Sequence, residues 1–352
     1  LPAPISTLTS NLLPPTSQSP TSQDAAWAKV VEAAQKEGRL VIYGGGTMAT
    51  IGREISRAFA TRYGISLEIL VLGGSQLVER LKVERAIGQP IVDVVSIGIS
   101  SSTDIVLSGL AESVVEVLPV LRDRSVFYVD PVYGPHQQII ASEIAFVVPV
   151  INTNQVGPDE IKSWYDMLNP KWKGRLIMHD PRVTGSGLNL FSTLTYHKVL
   201  DYDYFRRLAR QEPNLWGGAS RESGLMVGRG EYAMSLANDK GQMDSVIMEG
   251  APLKLVAVEE GIISQPLGLL VAKGPPHPNA ARLFTNWFLT PEGQESYAKT
   301  MGTRPLRKDM PDFTPKRASL TPKKVWNRTW EAAEQSNKDL KAGITEQIFG
   351  KK

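Results

Sequence analysis

Apolar positions along this chain switch between two periods. Arg39–Tyr43 is a short continuous apolar run, and Ile51, Ile55 and Phe59 follow it at helical spacing, ending at Gly64. Ile65–Leu72 is a second apolar run, stopped by Gly73-Gly74-Ser75. Leu77, Leu81 and Ile87 then mark a helix that stops at Gly88 and Pro90, and Ile91–Ile97 reads as a third strand. A helix over Asp24–Lys36, closed by Gly38, precedes them all. This alternation predicts an α/β fold with a mostly parallel, doubly wound sheet.

After a long connection, Ile139–Asn152 is another continuous apolar strand, and the alternation resumes. The pattern predicts a helix near Glu160–Leu168, a strand at Arg175–Met178, a helix from about Leu188 and a strand near Tyr232–Leu236. Leu253–Val258 and Leu267–Ala272 read as strands, and Ala280–Leu289 and Glu292–Thr300 as helices. Residues 311–352 read as a Pro-interrupted crossing segment with one amphipathic helix near Lys323–Lys338. Two α/β blocks result, with the chain crossing between them more than once.

Composition narrows the class. A chain of 352 residues exceeds one ordinary core, so two domains are expected. Formal net charge is +3, and residues 311–352 alone hold nine basic and five acidic residues. The rest is close to neutral, without the clustered basic face that a nucleic-acid partner requires. The absence of cysteine excludes disulfides, thiolate metal sites and a cysteine nucleophile. Residues 1–23 carry one charge-free, Ser/Thr/Pro-rich stretch up to Gln23, with no basic or apolar signal regions. They read as a flexible spacer, expected to follow a removed signal or a truncation and able to tether the folded part to a membrane.

Candidate chemistry sits in the loops. Gly44–Thr47, Gly73–Ser75 and Thr184–Gly187 each follow a strand and precede a helix. In open α/β sheets the ligand crevice lies outside the carboxyl ends of strands, where helix N-termini offer free N–H groups. Gly45, Gly46, Thr47, Gly74, Ser75, Ser100, Ser101, Thr184, Gly185 and Ser186 are therefore candidate ligand contacts. Trp216, Gly218, Ala219 and Ser220 form a further candidate, an aromatic platform before a Gly-rich loop. His179, at a strand end, either lines the same crevice or caps a loop. Arg182, Arg221 and Lys240 are candidate anion partners or plain surface charges.

Gly44–Ala49 also matches the G-x-G-x-x-A variant of the dinucleotide fingerprint, which would make the protein a nucleotide-dependent oxidoreductase. That fingerprint needs an acidic residue ending the second strand, where this chain has Gly73; Glu68 lies mid-strand. No metal-ligand spacing, Gly-x-Ser-x-Gly elbow or other catalytic constellation is visible, so no cofactor, no metal and no enzymatic activity are expected.

Several stretches resemble the extracellular solute-binding proteins of ABC importers, in the branch of ferric-ion, thiamine, phosphonate and sugar-phosphate binders. They are LVIYGGGTMATIGREISRAFATRYGISLEI, LVERLKVERAIGQPIVDVV, SWYDMLNPKWKGRLIMHDPRVTGSG and PHPNAARLFTNWFLTPEGQESYAKTMGTRPLR. The resemblance implies a type II periplasmic-binding-protein fold: lobe one from 24–143 and 265–310, lobe two from 144–264, and 311–352 as a helical extension. It implies hinges at Ile139–Asn152 and Ser264–Ala272, and a periplasmic or extracytoplasmic monomer that closes on a small molecule and delivers it to importer membrane subunits. Ferric binders of this branch carry adjacent tyrosines after a segment like GRGEYAMSLAN; here Ala237-Asn238-Asp239-Lys240 stands there, with Asn238 as the candidate contact. An oxygen-bearing organic anion, a carboxylate or a phosphate, is therefore the expected ligand, with ferric ion as the alternative.

Overall fold

The computed structural model describes residues 22–314 and 320–350, apart from the side chains of Ser75 and of residues 143–145. The spacer 1–23 thus lies outside the described residues except for its last two. Helix α1 (Ser22–Glu37) leads into β1 (Arg39–Gly44), α2 (Gly46–Tyr63), β2 (Ser66–Val71), α3 (Gly74–Ala86), β3 (Val94–Gly98) and α4 (Ile99–Leu107). The short strands β4 (Ala111–Glu112) and β5 (Val132–Tyr133) precede the long β6 (Gln138–Asn152). Next come β7 (Leu176–His179), α5 (Ser186–Tyr196), α6 (Tyr202–Ala209), β8 (Asn214–Trp216) and α7 (Ser220–Gly228). They are followed by β9 (Met234–Asp239), α8 (Lys240–Met248), β10 (Leu253–Leu255), β11 (Ile262–Ala272), α9 (Pro278–Phe288) and α10 (Pro291–Met301). The chain ends in β12 (Val325–Asn327), α11 (Trp330–Lys341) and α12 (Ile344–Phe349).

Among the described residues the strands form one sheet whose main path is β2-β1-β3-β11-β6-β9-β7-β8. Two parallel triplets stand at its ends, β2-β1-β3 and β9-β7-β8. Between them run β11 and β6, antiparallel to each other and to their outer neighbours. The ladder between β11 and β6 loses register around Gln265 and Leu267. Pro266 lies between them and has no N–H to give to the ladder, so the strand breaks step there.

The two-residue period of the strands builds a core on each face. In β1, Leu40 and Ile42 join Ile51, Ile55 and Phe59 of α2 and Phe284, Trp287 and Phe288 of α9. Val41 and Tyr43 point the other way, against Leu77, Val78 and Leu81 of α3. The second triplet repeats this. Leu176 and Met178 pack with Trp164, Phe191 and Phe205, while Ile177 packs with Val227, Met243 and Val246. The two parallel triplets therefore own separate cores.

Three expectations need correction. The helix expected near Glu160–Leu168 is a 3-10 turn over Trp164–Leu168, begun by the Ser163 hydroxyl. The helix expected near Lys323–Lys338 is a strand followed by a helix. Val325–Asn327 pairs in parallel with Ile262–Ser264, and Thr329 caps α11. Ile87, taken as part of the apolar stripe of α3, is 61% exposed. Among the described residues no helix is long and apolar enough to cross a membrane.

Candidate functional site

Six parallel strands end in helices, and all six helix starts meet. The carboxyl ends of β1, β2 and β3 lead into α2, α3 and α4; those of β7, β8 and β9 lead into α5, α7 and α8. Together they line a cleft of about 480 Å³. One wall carries Gly45, Gly46, Thr47, Gly74, Ser100 and Ser101, and the facing wall His179, Thr184, Gly185, Ser186, Trp216, Gly218, Ala219 and Ser220. Gln265, Pro266 and Leu267 form part of its lining at the break in β11.

The helix starts are unusual in how little covers them. Gly45, Gly98, Gly185 and Ala219 are the N-caps of α2, α4, α5 and α7, and none makes a side-chain cap. Gly73, before α3, has no side chain; the amide of Gln76 instead reaches back to its N–H at 3.4 Å. Only α8 is self-capped, by Asp239 accepting from Gln242 N–H at 3.1 Å. First-turn N–H groups have no partner inside a helix, so α2, α3, α4 and α5 present free donors and the positive ends of their dipoles, whereas in α7 the Arg221 N–H donates to the Gln242 amide oxygen at 3.0 Å.

Close approach makes small residues necessary here. A β-carbon on Gly187 would stand 2.0 Å from the His179 carbonyl oxygen, so only glycine lets α5 start against β7. Across the cleft, a β-carbon on Gly46 would stand 3.0 Å from the Gln242 amide nitrogen, whose oxygen accepts from Arg221 N–H at 3.0 Å. Asn189 bridges the walls: it is hydrogen-bonded to Ser100 on one side and to Gln265 on β11.

The electrostatics of the lining are acidic in side chains and basic in backbone. Among the described lining residues there are three carboxylates, Asp180, Glu222 and Asp239, and no lysine or arginine. Asp180 is neutralised by Arg182 through a two-pronged contact, Nε to Oδ1 at 2.9 Å and Nη2 to Oδ2 at 2.8 Å. Burial pushes the Asp239 carboxyl up from its ordinary value. Burial also pulls His179 down to about 4, so its ring is neutral near pH 7. The Ser220 hydroxyl accepts from Asp239 N–H at 3.1 Å and lies 3.1 Å from His179 Nε2, to which it can donate.

A model of the family described as bacterial extracellular solute-binding protein matches residues 40–300, well over half of the chain. The chain belongs to that family. This solute-binding protein is 23% identical, over 77% of its length, to an uncharacterized protein of Haemophilus influenzae, 78% of which is covered. Iron-bound HitA from Pseudomonas aeruginosa superposes with a TM-score of 0.70 at 21% identity, covering 89% of this chain and 99% of HitA. AfuA from Actinobacillus pleuropneumoniae, solved with exogenous fructose 6-phosphate bound, gives 0.73 at 19% identity, covering 90% and 100%. The fold is that of the type II periplasmic binding proteins.

Most candidate residues of this solute-binding protein fall on the one cleft, and two do not. Arg182 is held by Asp180 and faces Glu346 of α12 at 3.7 Å, so it is not part of the lining. Asn238 is fully buried inside the second core, bonded to Ser223, Ser235 and the Val148 carbonyl. The other proposed cations are committed too: Arg221 to Glu249 at 2.7 Å and Lys240 to Asp244 at 2.5 Å. Ser75 lies in the first turn of α3, and its side chain lies outside the described residues. The acidic residue tested against the dinucleotide fingerprint, Glu68, pairs with Arg39 at 3.1 Å, away from the lining. Tyr204 is buried with its hydroxyl on the Trp164 carbonyl, and Tyr202 stacks on Phe191. Sequence reasoning missed Asp180, Asn189, Glu222, Asp239, Gln242 and Gln265. Gln265 had a signal, a polar residue before proline inside an apolar strand; the others gave none beyond following the right loops.

Proposed function

We propose that this protein captures a small, oxygen-rich organic anion, carrying a phosphate or a carboxylate, and hands it to the membrane subunits of an ABC importer outside the cytoplasm. It acts as a monomer and binds without turnover. One lobe, 24–143 with 265–310, closes on the other, 144–264, by bending at β6 and β11. These two strands run between triplets that own separate cores.

The observation that carries the reading is the convergence of six helix N-termini on one cleft, those of α2, α3, α4 and α5 without a side-chain acceptor on the first turn. Free N–H groups at positive dipole ends suit an anion. Asp180, Glu222 and the Ser and Thr hydroxyls suit the hydroxyl groups of a polyol, and the Trp216 ring suits its apolar face. The solved relative with fructose 6-phosphate has that chemistry. The iron-bound relative raises the alternative of ferric ion. A bare ferric ion suits phenolates, and no tyrosine is among the described lining residues.

Native mass spectrometry of the protein purified without refolding, followed by calorimetry with phosphorylated and carboxylated polyols, tests this. The expected result is an anionic organic molecule that copurifies and rebinds unchanged. At about 100 times its Kd such a ligand adds about 2.7 kcal/mol of stability. Recovery of an uncharged solute, of iron alone, or of a chemically converted ligand would overturn the reading.

A further inference from the structure

The described C-terminal segment crosses behind the cleft. β12 runs beside β11, and α11 packs against both α4 and α5, which belong to opposite walls. At this crossing lies Arg328, 1% exposed. Its N–H donates to the Ser264 carbonyl at 2.9 Å, and its carbonyl accepts from the Tyr133 hydroxyl at 2.9 Å. Its guanidinium donates to Ser192 Oγ at 2.7 Å, Thr193 Oγ1 at 3.0 Å, the Asn189 carbonyl at 3.4 Å and Ser336 Oγ at 2.6 Å.

Every acceptor of this guanidinium is a neutral oxygen. The buried carboxylate of α11, Asp339, accepts from the Gln335 amide through Oδ1 at 2.8 Å and makes no hydrogen bond to Arg328. Burial brings Arg328 down to about 10, which leaves it charged at neutral pH. A buried charge without a counter-charge is strongly destabilising, and folds keep one only with compensation. The Arg328 contacts lead to the cleft. Asn189, whose carbonyl Arg328 reaches, has a side chain in the lining, and Ser192 and Thr193 form the next turn of α5.

We propose that Arg328 is the buried counter-charge of the ligand: the C-terminal extension sets one positive charge against the side of α5, where it complements an anion held at that helix's N-terminus. The proposal rests on the anionic reading above. It also accounts for a cleft that has no lysine or arginine among its described lining residues. Arg328 acts through the field and through α5, as a positioning residue without a hydrogen bond to the ligand. A unit charge about 10 Å away, at an effective dielectric of about 20, shifts a binding constant by roughly tenfold.

The test is calorimetry on the full chain with fructose 6-phosphate, inorganic phosphate and uncharged fructose, with thermal melts of each variant as the folding control. Arg328→Met is expected to weaken binding of the anions at least tenfold, and Arg328→Lys, which keeps the charge, to recover most of the loss. Ser336→Ala, which removes one of the same hydrogen bonds but no charge, is expected to change affinity less than twofold. Should Arg328→Met fail to fold, Arg328→Gln takes its place. Anion binding that is undiminished without the charge, or that weakens as much in Arg328→Lys or Ser336→Ala as in Arg328→Met, overturns the role of Arg328 and leaves the anionic reading standing. Binding of fructose but of neither anion by the unaltered protein overturns both.

Discussion

The N-termini of α9 and α5 are finished in opposite ways. At α9 the Glu37 carboxylate accepts from Asn279 N–H at 3.2 Å and from Ala280 N–H at 2.7 Å. At α5 the cap is Gly185, and the first turn opens on the cleft. Helices α6, α10 and α11, which also begin outside the cleft lining, are capped by Asp201, Thr290 and Thr329. At these four helix starts this chain supplies its own acceptor, while the short α12, also outside the lining, starts at Gly343 without one. Around the cleft the chain supplies glycine before α2, α3, α4 and α5, and alanine before α7; α8 keeps its Asp239 cap and α7 takes Gln242 as an acceptor. Glu37 also shows what those uncapped donors are fitted for, since it is an anion held by two backbone N–H groups and one amide.

The contrast can be broken from either side. The largest effect is expected at Gly187, where a β-carbon would meet backbone that has little room to shift. Gly187→Ala should lose about 3 kcal/mol in urea unfolding, because overpacking against backbone cannot relax through side-chain rotation. A loss below about 0.5 kcal/mol would mean that α5 is not held tight against β7.

Next in size is a pH effect at His179. Its folded value of about 4 lies below its ordinary 6.5, so the unfolded chain takes up the proton first. The stability due to the neutral ring is complete above about pH 6.5 and is lost as pH falls through 4, up to about 3 kcal/mol. Asp244, raised to about 6 by burial, has the opposite sign: stability is gained as pH falls from about 6 towards 3.8. The difference between the unaltered protein and His179→Gln isolates the first effect. Urea midpoints should converge between pH 6.5 and 4, and parallel curves would show that His179 does not titrate this way.

Removing the acceptor at α9 is a milder change. Glu37→Ala should cost about 2 kcal/mol, the value of charge-assisted bonds at a helix start, and leave ligand affinity unchanged. If affinity falls as well, the distinction between structural and cleft-facing helix starts does not hold. The smallest effect comes from converting one class into the other. Ala219 is exposed, with the extended backbone of a cap (φ −73°, ψ 151°). Ala219→Asp should set a carboxylate beside the Gln242 amide that already accepts from Arg221 N–H, raise stability by less than about 1 kcal/mol, and weaken an anionic ligand at the start of α7. A more stable variant that binds the anion as well as before would sharpen the comparison against α7 and towards α2, α4 and α5.

Much of this architecture is legible in the sequence because strands buried on both faces read as continuous apolar runs, as at Leu40–Tyr43 and Val147–Ile151. The strand-to-helix loops before α2, α3 and α5 were legible because glycines mark them. Helices α4, α7 and α8 were not. Ile99–Leu107 has three serines after its first residue and Ser220–Gly228 ends in a glycine, so local propensity is poor and tertiary packing sets them. Arg182 and Asn238 looked like ligand contacts by position alone. In space each found a nearer partner, Asp180 in one case and Ser235 with Ser223 in the other. Nothing in the local pattern signals that Val325–Asn327 joins β11, because strand pairing at that separation depends on the partner.

The central claim is that backbone N–H groups of the cleft bind the ligand's charge, and amide NMR tests it residue by residue. With the copurified compound, or with fructose 6-phosphate in its place, the amides of Gly46, Thr47, Gly74, Ser100, Ser186 and Ser220 should shift on titration. Those of Asn279, Ala280, Gly293 and Ala332, which already have acceptors, should not. Saturable binding that leaves the cleft amides unmoved, or that moves both groups alike, would contradict it.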